Sequence, residues 1–400
     1  MKALVISTGS ELLRGLVNED VPLVTGFFFR YGVPTIKEVT LPDDADALRA
    51  EIQQAQELAE IVVVLGGLGP THDDLTRQVL AEVAGTRLRF HEAYYQKILP
   101  RLQRAGFDNL DLFREFAVLP EGYEVLYNPV GLAPGLLRET APGRYLVALP
   151  GPPREVRAVL PALHERLQAV LGKQPRYRTL HVFGYTEPEI LQVLRQVIPE
   201  GTDYSIIANA SGIHLTVPVE PPEIVERLRE ALGADLYGEE GESLAYVVGR
   251  LLRRRGWTLA VAESCTGGLV ASTLTDLHGS SDYLVGSLVT YSNEAKVRIL
   301  GVDQAVLLTE GAVSEPVAAQ MAEGARRQLG TDVGISTTGI AGPTGGTPRK
   351  PVGLVYLGIS VRGRTEVHQH LFSGDRLRVK ARSTFTLLDH LRRRLLESPT

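Results

Sequence analysis

Residues 61–80 read IVVVLGGLGPTHDDLTRQVL. The apolar run Ile61–Leu65 has the β-branched content of a buried strand and is too short for a helix. Glycines at 66, 67 and 69 turn the chain, and Thr71-His72-Asp73-Asp74 opens a helical pattern that runs to Val83. Residues 258–274, TLAVAESCTGGLVASTL, repeat this order, with a strand to Glu263, a glycine turn and a helix from Leu269 to Thr275. Strand, glycine turn and helix together are the unit of a mostly parallel sheet covered on both faces. Further strands are expected at Ala3–Ser7, Thr35–Thr40 and Tyr145–Leu149, with a helix at Asp46–Leu58.

The expected fold class is therefore α/β. Two three-layer α/β domains, residues 1–170 and 243–400, flank a small α+β module at 171–242. A polar stretch, Gly172–Arg178, reads as the linker into that module. Strands at Thr179–Phe183, Tyr204–Ala208 and His214–Val219 alternate there with helices at Glu187–Val197 and Pro222–Leu232.

Composition narrows the function. The chain has 400 residues, 44% hydrophobic and 22% charged, which suits several packed cores and excludes a disordered or collagenous chain. A net charge of −5 makes a general nucleic-acid binder a poor expectation. The single cysteine, Cys265, excludes an intramolecular disulfide and fits a reducing cytoplasm. No apolar run reaches the roughly 18 residues of a membrane span, and the first residues lack the pattern of a signal peptide. Lysine occurs seven times and asparagine five times. So Arg-rich a chain hints at heat adaptation, and each Lys and Asn becomes worth questioning.

Three segments of the C-terminal block carry chemistry. In Ser264-Cys265-Thr266-Gly267-Gly268 the glycines admit a ligand close to the backbone, and the following helix start offers N–H groups to a phosphate or an oxyanion. An ordinary N-cap at Ser264 or Thr266 is the plainer alternative. In VTYSNEAKVRILG, residues 289–301, capping by Ser292 or Asn293 puts Lys296 in the first helical turn. A cation is disfavoured there, and burial drives it further towards the neutral amine. A neutral amine can take a proton from a serine hydroxyl, with Tyr291 near enough to orient or relay. In residues 336–353, STTGIAGPTGGTPRKPVG, a loop with Gly339, Gly342, Gly345 and Gly346 precedes Lys350 and suits a phosphate beside Thr344 and Thr347. It lacks the Walker A spacing.

AESCTGG, YSNEAK and GIAGPTGG…KPVG together resemble the CinA C-terminal domain, a family of bacterial nicotinamide mononucleotide deamidases. The resemblance covers 243–400. It implies hydrolysis of the nicotinamide carboxamide to nicotinate mononucleotide and ammonia, without a cofactor. It implies Ser264 as nucleophile, Lys296 as its base, and Tyr291 and Thr338 beside the reacting amide. The glycine loops, with Thr266, Gly267, Gly268, Gly342, Gly345, Gly346 and Lys350, would hold the substrate, and Arg378 its phosphate. Cys265, with no histidine partner nearby in sequence, reads as structural.

In the N-terminal block, carboxylates gather at expected strand ends. Asp43 and Asp44 stand in LPDDADAL, Asp73 and Asp74 follow the glycine turn, and Glu11 follows Gly9 in STGSELLRG. These positions lie beyond the carboxyl edge of a parallel sheet, where ligands bind. Carboxylates there suit a hard cation such as Mg²⁺ shared with a phosphate, although Asp is also the default helix cap. This block resembles the N-terminal domain of CinA, itself similar to molybdopterin-binding domains, through GSELLRG, PDD, GGLGPTHDDLT, Asn128–Gly135 and LPGPP at Leu149. The resemblance implies a site lined by Asp44 and Asp74, shaped by Asn128, Ala133 and Gly135, with Gly9, Gly66, Gly67, Gly69 and Thr71 at the substrate. It implies metal-dependent hydrolysis of ADP-ribose to AMP and ribose 5-phosphate, with Asp44, Asp74 and Glu11 on the metal. Relatives carry Asp-Thr-Asn at the first helix, where Glu19-Asp20-Val21 stands here.

Other readings stay open: a non-hydrolytic molybdopterin-type module in the N-terminal half, or an interaction protein in competence and DNA damage. The middle module resembles a KH fold, but its one GxxG, Gly238-Glu239-Glu240-Gly241, is acidic, so it is read as a spacer or dimerisation module. His368 and His370 share one face of a strand without a third ligand in view and read as surface residues. The expected partners are small nucleotides, and a homodimer is the expected assembly.

Overall fold

The structure is a computed structural model that describes residues 1–107 and 109–397. The chain divides into two compact units, Met1–Tyr177 and Arg178–Thr400.

The first unit runs β1 (Ala3–Thr8), α1 (Asp20–Arg30), β2 (Thr35–Leu41), α2 (Ala45–Leu58), β3 (Ile61–Leu65), α3 (Thr76–Val83), β4 (Leu88–Phe90), α4 (Glu92–Arg104), β5 (Val118–Pro120), β6 (Glu124–Leu126), β7 (Gly135–Ala141), β8 (Arg144–Leu149) and α5 (Pro153–Leu171). Its main sheet has the order β2-β1-β3-β8-β7-β6. The first four strands are parallel, and β7 and β6 add an antiparallel edge. One apolar cluster lies under α2, α3 and α4 and another under α1 and α5, which gives three layers. Every residue of β1 and β3 is buried, as a strand covered on both faces requires.

The second unit carries two sheets. The first is made of β9 (Tyr177–Val182), β10 (Ser205–Asn209), β11 (Gly212–Pro218) and β12 (Leu236–Glu239), in the order β10-β11-β9-β12, with α6 (Glu187–Val197) and α7 (Glu223–Leu232). The helices α8 (Leu244–Arg255), α9 (Leu269–Thr275), α10 (Asn293–Leu300), α11 (Gln304–Glu310), α12 (Glu315–Leu329) and α13 (Arg376–Glu397) accompany the second. Its strands are β13 (Leu259–Glu263), β14 (Leu284–Val289), β15 (Val333–Gly339), β16 (Leu354–Val361) and β17 (Arg364–Leu371), in the order β14-β13-β15-β16-β17. Only β14, β13 and β15 are parallel; β16 and β17 form an antiparallel hairpin beside them. Apolar clusters again lie on both faces. The chain is thus mixed α/β, several sheets flanked by helices.

Three local expectations are corrected. The segment expected to open a helix at Thr71 forms a separate turn, and α3 begins at Thr76. The turn is closed by its own side chains, because Thr71 donates its N–H (3.0 Å) and its hydroxyl (2.5 Å) to Asp74 Oδ2. The expected linker Gly172–Arg178 ends inside β9, whose first two residues are Tyr177 and Arg178. Gly135 starts β7, where a Cβ would stand 2.7 Å from Val159 Cγ1, so it is a packing glycine of the sheet. Among the described residues no helix is long and apolar enough to cross a membrane.

Candidate functional site

Parallel strands β13, β14 and β15 deliver the parts of the second unit's site to one sheet edge. Ser264 directly follows β13, and Lys296 sits on α10, capped by Ser292, whose hydroxyl accepts from Ala295 N at 3.1 Å. The Lys296 amine lies 3.2 Å from Ser264 Oγ, 2.9 Å from Thr290 O and 3.2 Å from Tyr291 O. Lys296 is 1% exposed and Ser264 9%. Burial lowers the lysine below its ordinary pKa, and nearby Cys265 opposes this. A neutral amine has two N–H groups and a lone pair. The two carbonyls take the N–H groups, so the lone pair is left for the serine O–H.

The glycine turn does not offer its helix start to an anion as expected. Glu263, fully buried, fills that place itself. Its carboxylate accepts from Gly268 N (2.8 Å), Val270 N (3.1 Å), Ala271 N (3.0 Å), Thr266 Oγ1 (2.7 Å) and Ser287 Oγ (3.2 Å). The Thr266 hydroxyl therefore points into the protein. Gly267 and Gly268 adopt φ +62° and +97°, the left-handed region that makes the tight turn. The N–H groups of Cys265 and Thr266 adjoin the serine and, among the described residues, donate to no other residue's backbone carbonyl in the turn.

Thr338 is buried and spends its hydroxyl on Ala312 O at 2.7 Å, while Tyr291 is 61% exposed. Lys350 is not free for a phosphate: its amine is held by the carbonyls of Glu310 and Val313. The loop it closes contains Gly342 at φ +82° and Gly345 at φ +91°, with Gly346 packed against Val352. Gly339 ends β15. Arg378 is exposed and lies against Gly374. Two cations on the same helix are better placed. Arg376 donates to Tyr291 Oη and to Gly342 O, each at 2.8 Å, and Lys380 Nζ comes within 3.7 Å of where a Gly267 Cβ would stand. Sequence reading missed both, although Lys380 was one of only seven lysines.

In the first unit a cavity of ≈1060 Å³ opens at the carboxyl ends of β1, β3 and β8. Gly9, Gly66, Gly67 and Gly69 line it, with Glu11, Asp43, Asp73 and Asp74. A Cβ on Gly69 would stand 2.4 Å from Asp74 Oδ2, so glycine is needed there for the carboxylate to fold over the floor. Of the two adjacent aspartates, the cavity takes Asp43 and not the expected Asp44. Asp43 lines the cavity, accepting from Ser10 N at 2.9 Å, whereas Asp44 is exposed and caps α2 through Ala47 N at 2.8 Å. Asp44 leaves the strand end with extended backbone (φ −133°, ψ 118°), the ordinary N-cap conformation. Thr71 supports Asp74 rather than lining the cavity.

Asn128 is fully buried behind the cavity. Its amide accepts from Val130 N and Gly131 N and donates to Ala133 O and Glu155, which shapes the loop that brings Ala133 to the wall. Arg101 holds the same loop through Asn128 O and Gly131 O and reaches the cavity. At the first helix the polar contact comes from Asn18, whose side chain donates to Ser7 Oγ (2.9 Å) and accepts from Asp20 N (3.1 Å). Asp20 also lines the cavity, with Oδ1 buried and unpartnered. Burial, with Glu19 adding to it and Arg157 opposing, pushes its carboxyl up to about 6.

Among the described residues no three His, Cys, Asp or Glu side chains converge to hold a metal ion. Glu11, Asp43 and Asp74 line the same cavity without converging, and a hard cation commonly takes one or two carboxylates plus a ligand's phosphates. These carboxylates do not make a protein-only cage, so a cation here would need further ligands from a bound molecule.

Residues 241–395 match the model of the CinA C-terminal domain, and residues 4–169 that of a probable molybdopterin binding domain. A CinA-like protein of Salinibacter ruber is 40% identical over 410 residues, covering 99% of this chain and 100% of that one. The chain belongs to the CinA family. A CinA-like protein of Chlorobaculum tepidum is 39% identical, with 99% of each chain covered. Among solved structures, the competence damage-inducible protein A of Klebsiella pneumoniae is 36% identical, covers 39% of this chain and 97% of that one, and has a TM-score of 0.38.

Outside the two sites, five of this CinA chain's nine histidines gather as one pair, His181 with His214, and one group of three. His368 and His370 gain a neighbour, His390 of α13: His370 Nε2 lies 2.9 Å from His390 Nε2, and His368 stacks on His390 at 3.9 Å. The stacked rings are nearly parallel, so their nitrogens do not point at one ion. Cys265 is buried and its thiol pushed up to about 11, which makes it a poor nucleophile. The acidic GxxG lies at the end of β12, where Glu240 N donates to Thr179 O.

Proposed function

We propose that the C-terminal part of the second unit, residues 243–400, is an amidohydrolase that converts nicotinamide mononucleotide to nicotinate mononucleotide and ammonia. The 3.2 Å approach of a buried lysine amine to a serine hydroxyl carries this reading. Lys296 takes the serine proton as Ser264 Oγ bonds to the carboxamide carbon, and the carbonyl electron pair moves onto oxygen. The N–H groups of Cys265 and Thr266, which follow the serine in the chain, are the donors that would face that oxyanion. Collapse breaks the C–N bond, and Lys296 returns its proton to the departing nitrogen, which leaves as ammonia. Water then repeats the sequence on the acyl-serine, releasing the carboxylate and restoring Ser264. No step needs a cofactor. Incubating the full chain with nicotinamide mononucleotide, with and without chelator, tests this. Ammonia release that ignores chelator and disappears in Ser264→Ala is expected; undiminished release in that variant removes the serine from the mechanism.

For the first unit we propose a nucleotide site that hydrolyses ADP-ribose to AMP and ribose 5-phosphate. The glycine floor beside Asp43 and Asp74 supports it. Asp43 and Asp74 are the residues that would hold a divalent cation, which supplies charge neutralisation on the pyrophosphate. Incubation with ADP-ribose and Mg²⁺ tests the reading. Absence of AMP favours a non-hydrolytic molybdopterin-type module.

A further inference from the structure

Asp20 opens α1 on the wall of the first unit's cavity, yet its own helix start does not engage its carboxylate. The N–H groups that would ordinarily do so are already spent. Asn18 Oδ1 accepts from Asp20 N at 3.1 Å and from Val21 N at 3.3 Å, and Pro22 has no N–H to offer. Asn18 thus does the capping, and the Asp20 carboxylate is left over. Its Oδ1 is buried and, among the described residues, has no hydrogen-bond partner. Burial dominates its titration, Glu19 adds to it, and Arg157 of α5 opposes it without cancelling it, so the carboxyl is raised to about 6. A half-buried, unpaired carboxylate on a cavity wall costs the fold stability, and such groups gather where proton chemistry is done.

Asp20 also stands apart from the other aspartates of the cavity. The helices α1 and α5 cover one face of the sheet, and α2 and α3 the other. Asp43 and Asp74 precede α2 and α3, so they reach the cavity from the layer opposite to that of Asp20. The remaining charged groups of the lining are Glu11, Glu19, Asp73, Glu155 and Arg101. Among the described residues, the charged groups that shift the Asp20 carboxyl are Glu19 and Arg157, and neither Asp43 nor Asp74 is one of them. Holding a cation and holding a proton can therefore fall to different carboxylates.

We propose that Asp20 is the proton acceptor for the water that attacks a pyrophosphate bound in this cavity. The proposal rests on reading the cavity as a site that hydrolyses ADP-ribose. The water oxygen bonds to one phosphorus as the bond from that phosphorus to the bridging oxygen breaks. The bridging oxygen keeps the electron pair and leaves on the other phosphate, and the water proton passes to Asp20 and from there to solvent. A carboxylate oxygen with no donor of its own is free to accept from that water, and a raised carboxyl is the stronger base.

Steady-state AMP formation from ADP-ribose by the full chain, followed from about pH 5 to about pH 8.5 at saturating Mg²⁺, tests this. The parent's kcat/KM should fall on the acid side with a midpoint near 6 that more Mg²⁺ does not move. Asp20→Asn should lose about 10²–10⁴-fold in kcat, with the acid limb gone and equilibrium affinity for ADP-ribose within about twofold of the parent. Asp20→Ala should regain rate on addition of formate, a small carboxylate that can take the vacated place. Full rate in Asp20→Asn, or a loss that leaves the acid limb in place, overturns the proposal while the hydrolase reading stands. So does a limb in the parent that shifts with Mg²⁺ concentration, because it belongs to the carboxylates that hold the cation. Absence of AMP from the parent brings both down.

Discussion

Lys296 Nζ and Ser264 Oγ stand 3.2 Å apart, the lysine 1% exposed and bonded to two backbone carbonyls. Among the described residues no carboxylate partners the amine, and burial favours its neutral form. The reaction should therefore follow lysine deprotonation. We expect kcat/KM for ammonia release to climb with pH, with a midpoint below the ordinary lysine value of 10.5. Lys296→Met and Lys296→Arg should each lose about 10²–10⁴-fold, the latter because guanidinium does not give up its proton. A flat pH profile together with an active arginine variant would refute the assignment.

Glu263 supports that serine from behind. Five donors converge on its buried carboxylate, three of them N–H groups of the turn and of α9. Glu263→Gln puts an NH₂ group against donors. The expected cost is about 2–4 kcal/mol of stability, with kcat for ammonia release falling more than KM changes. Thermal melts and steady-state kinetics on one preparation check both. Unchanged kcat in a folded variant would show that the turn keeps its shape unaided.

What the sequence disclosed and what it hid divide along physical lines. Ser264 and Lys296 were legible because strand ends, caps and glycine turns are local features, and Lys296 falls where a cation is disfavoured. Arg376 and Lys380 were hidden because α13 meets the turn only through tertiary packing. The choice between Asp43 and Asp44 depended on where a strand stops. One residue decides which carboxylate caps α2 and which lines the cavity. The antiparallel strands β6 and β7 were not among the expected strands: β6 spans only Glu124–Leu126, and β7 begins at Gly135.

Asp20 trades stability for a cavity position. Its carboxyl is raised to about 6, so the native state binds more protons than the unfolded chain between the ordinary value of 3.8 and about 6. The penalty is absent at pH 3 and present in full above pH 6. Allowing for its partial exposure, Asp20→Asn should gain roughly 1 kcal/mol at pH 7.5 and nothing at pH 3.5. Denaturant melts of the first unit's transition at the two pH values decide it. A gain independent of pH would deny the unpaired carboxylate its part.

The paired histidines of the second unit should make it acid-sensitive. His214 is lowered to about 4 by burial and by His181, whose Nδ1 lies 2.7 Å from its own. His390 is lowered to about 3 by burial, with His368, His370 and Arg393 adding to it. A histidine lowered in the folded state contributes stability above its ordinary 6.5, and that contribution is lost as pH falls through the folded value. Thermal melts should lose roughly 2 kcal/mol between pH 7 and pH 4 from His214, after discounting for partial exposure, and His214→Gln should flatten that slope. An equally steep slope in the variant would place the acid sensitivity elsewhere.

Asp43 and Asp44 give the sharpest test of the first unit, because neighbouring residues of one type are assigned different work. Asp43 lines the cavity, and Asp44 caps α2 at its exposed end. If the cavity hydrolyses ADP-ribose with a cation held by Asp43 and Asp74, then Asp43→Asn and Asp74→Asn should each reduce AMP formation at least about 100-fold at saturating Mg²⁺. Raising Mg²⁺ should partly restore a variant that binds the ion weakly. Asp44→Asn should keep AMP formation within about twofold, since asparagine caps a helix nearly as well as aspartate. Deamidation, measured on the same samples, should be untouched in all three. Loss of AMP formation in Asp44→Asn with full activity in Asp43→Asn would reverse the assignment and place the ligand outside the cavity.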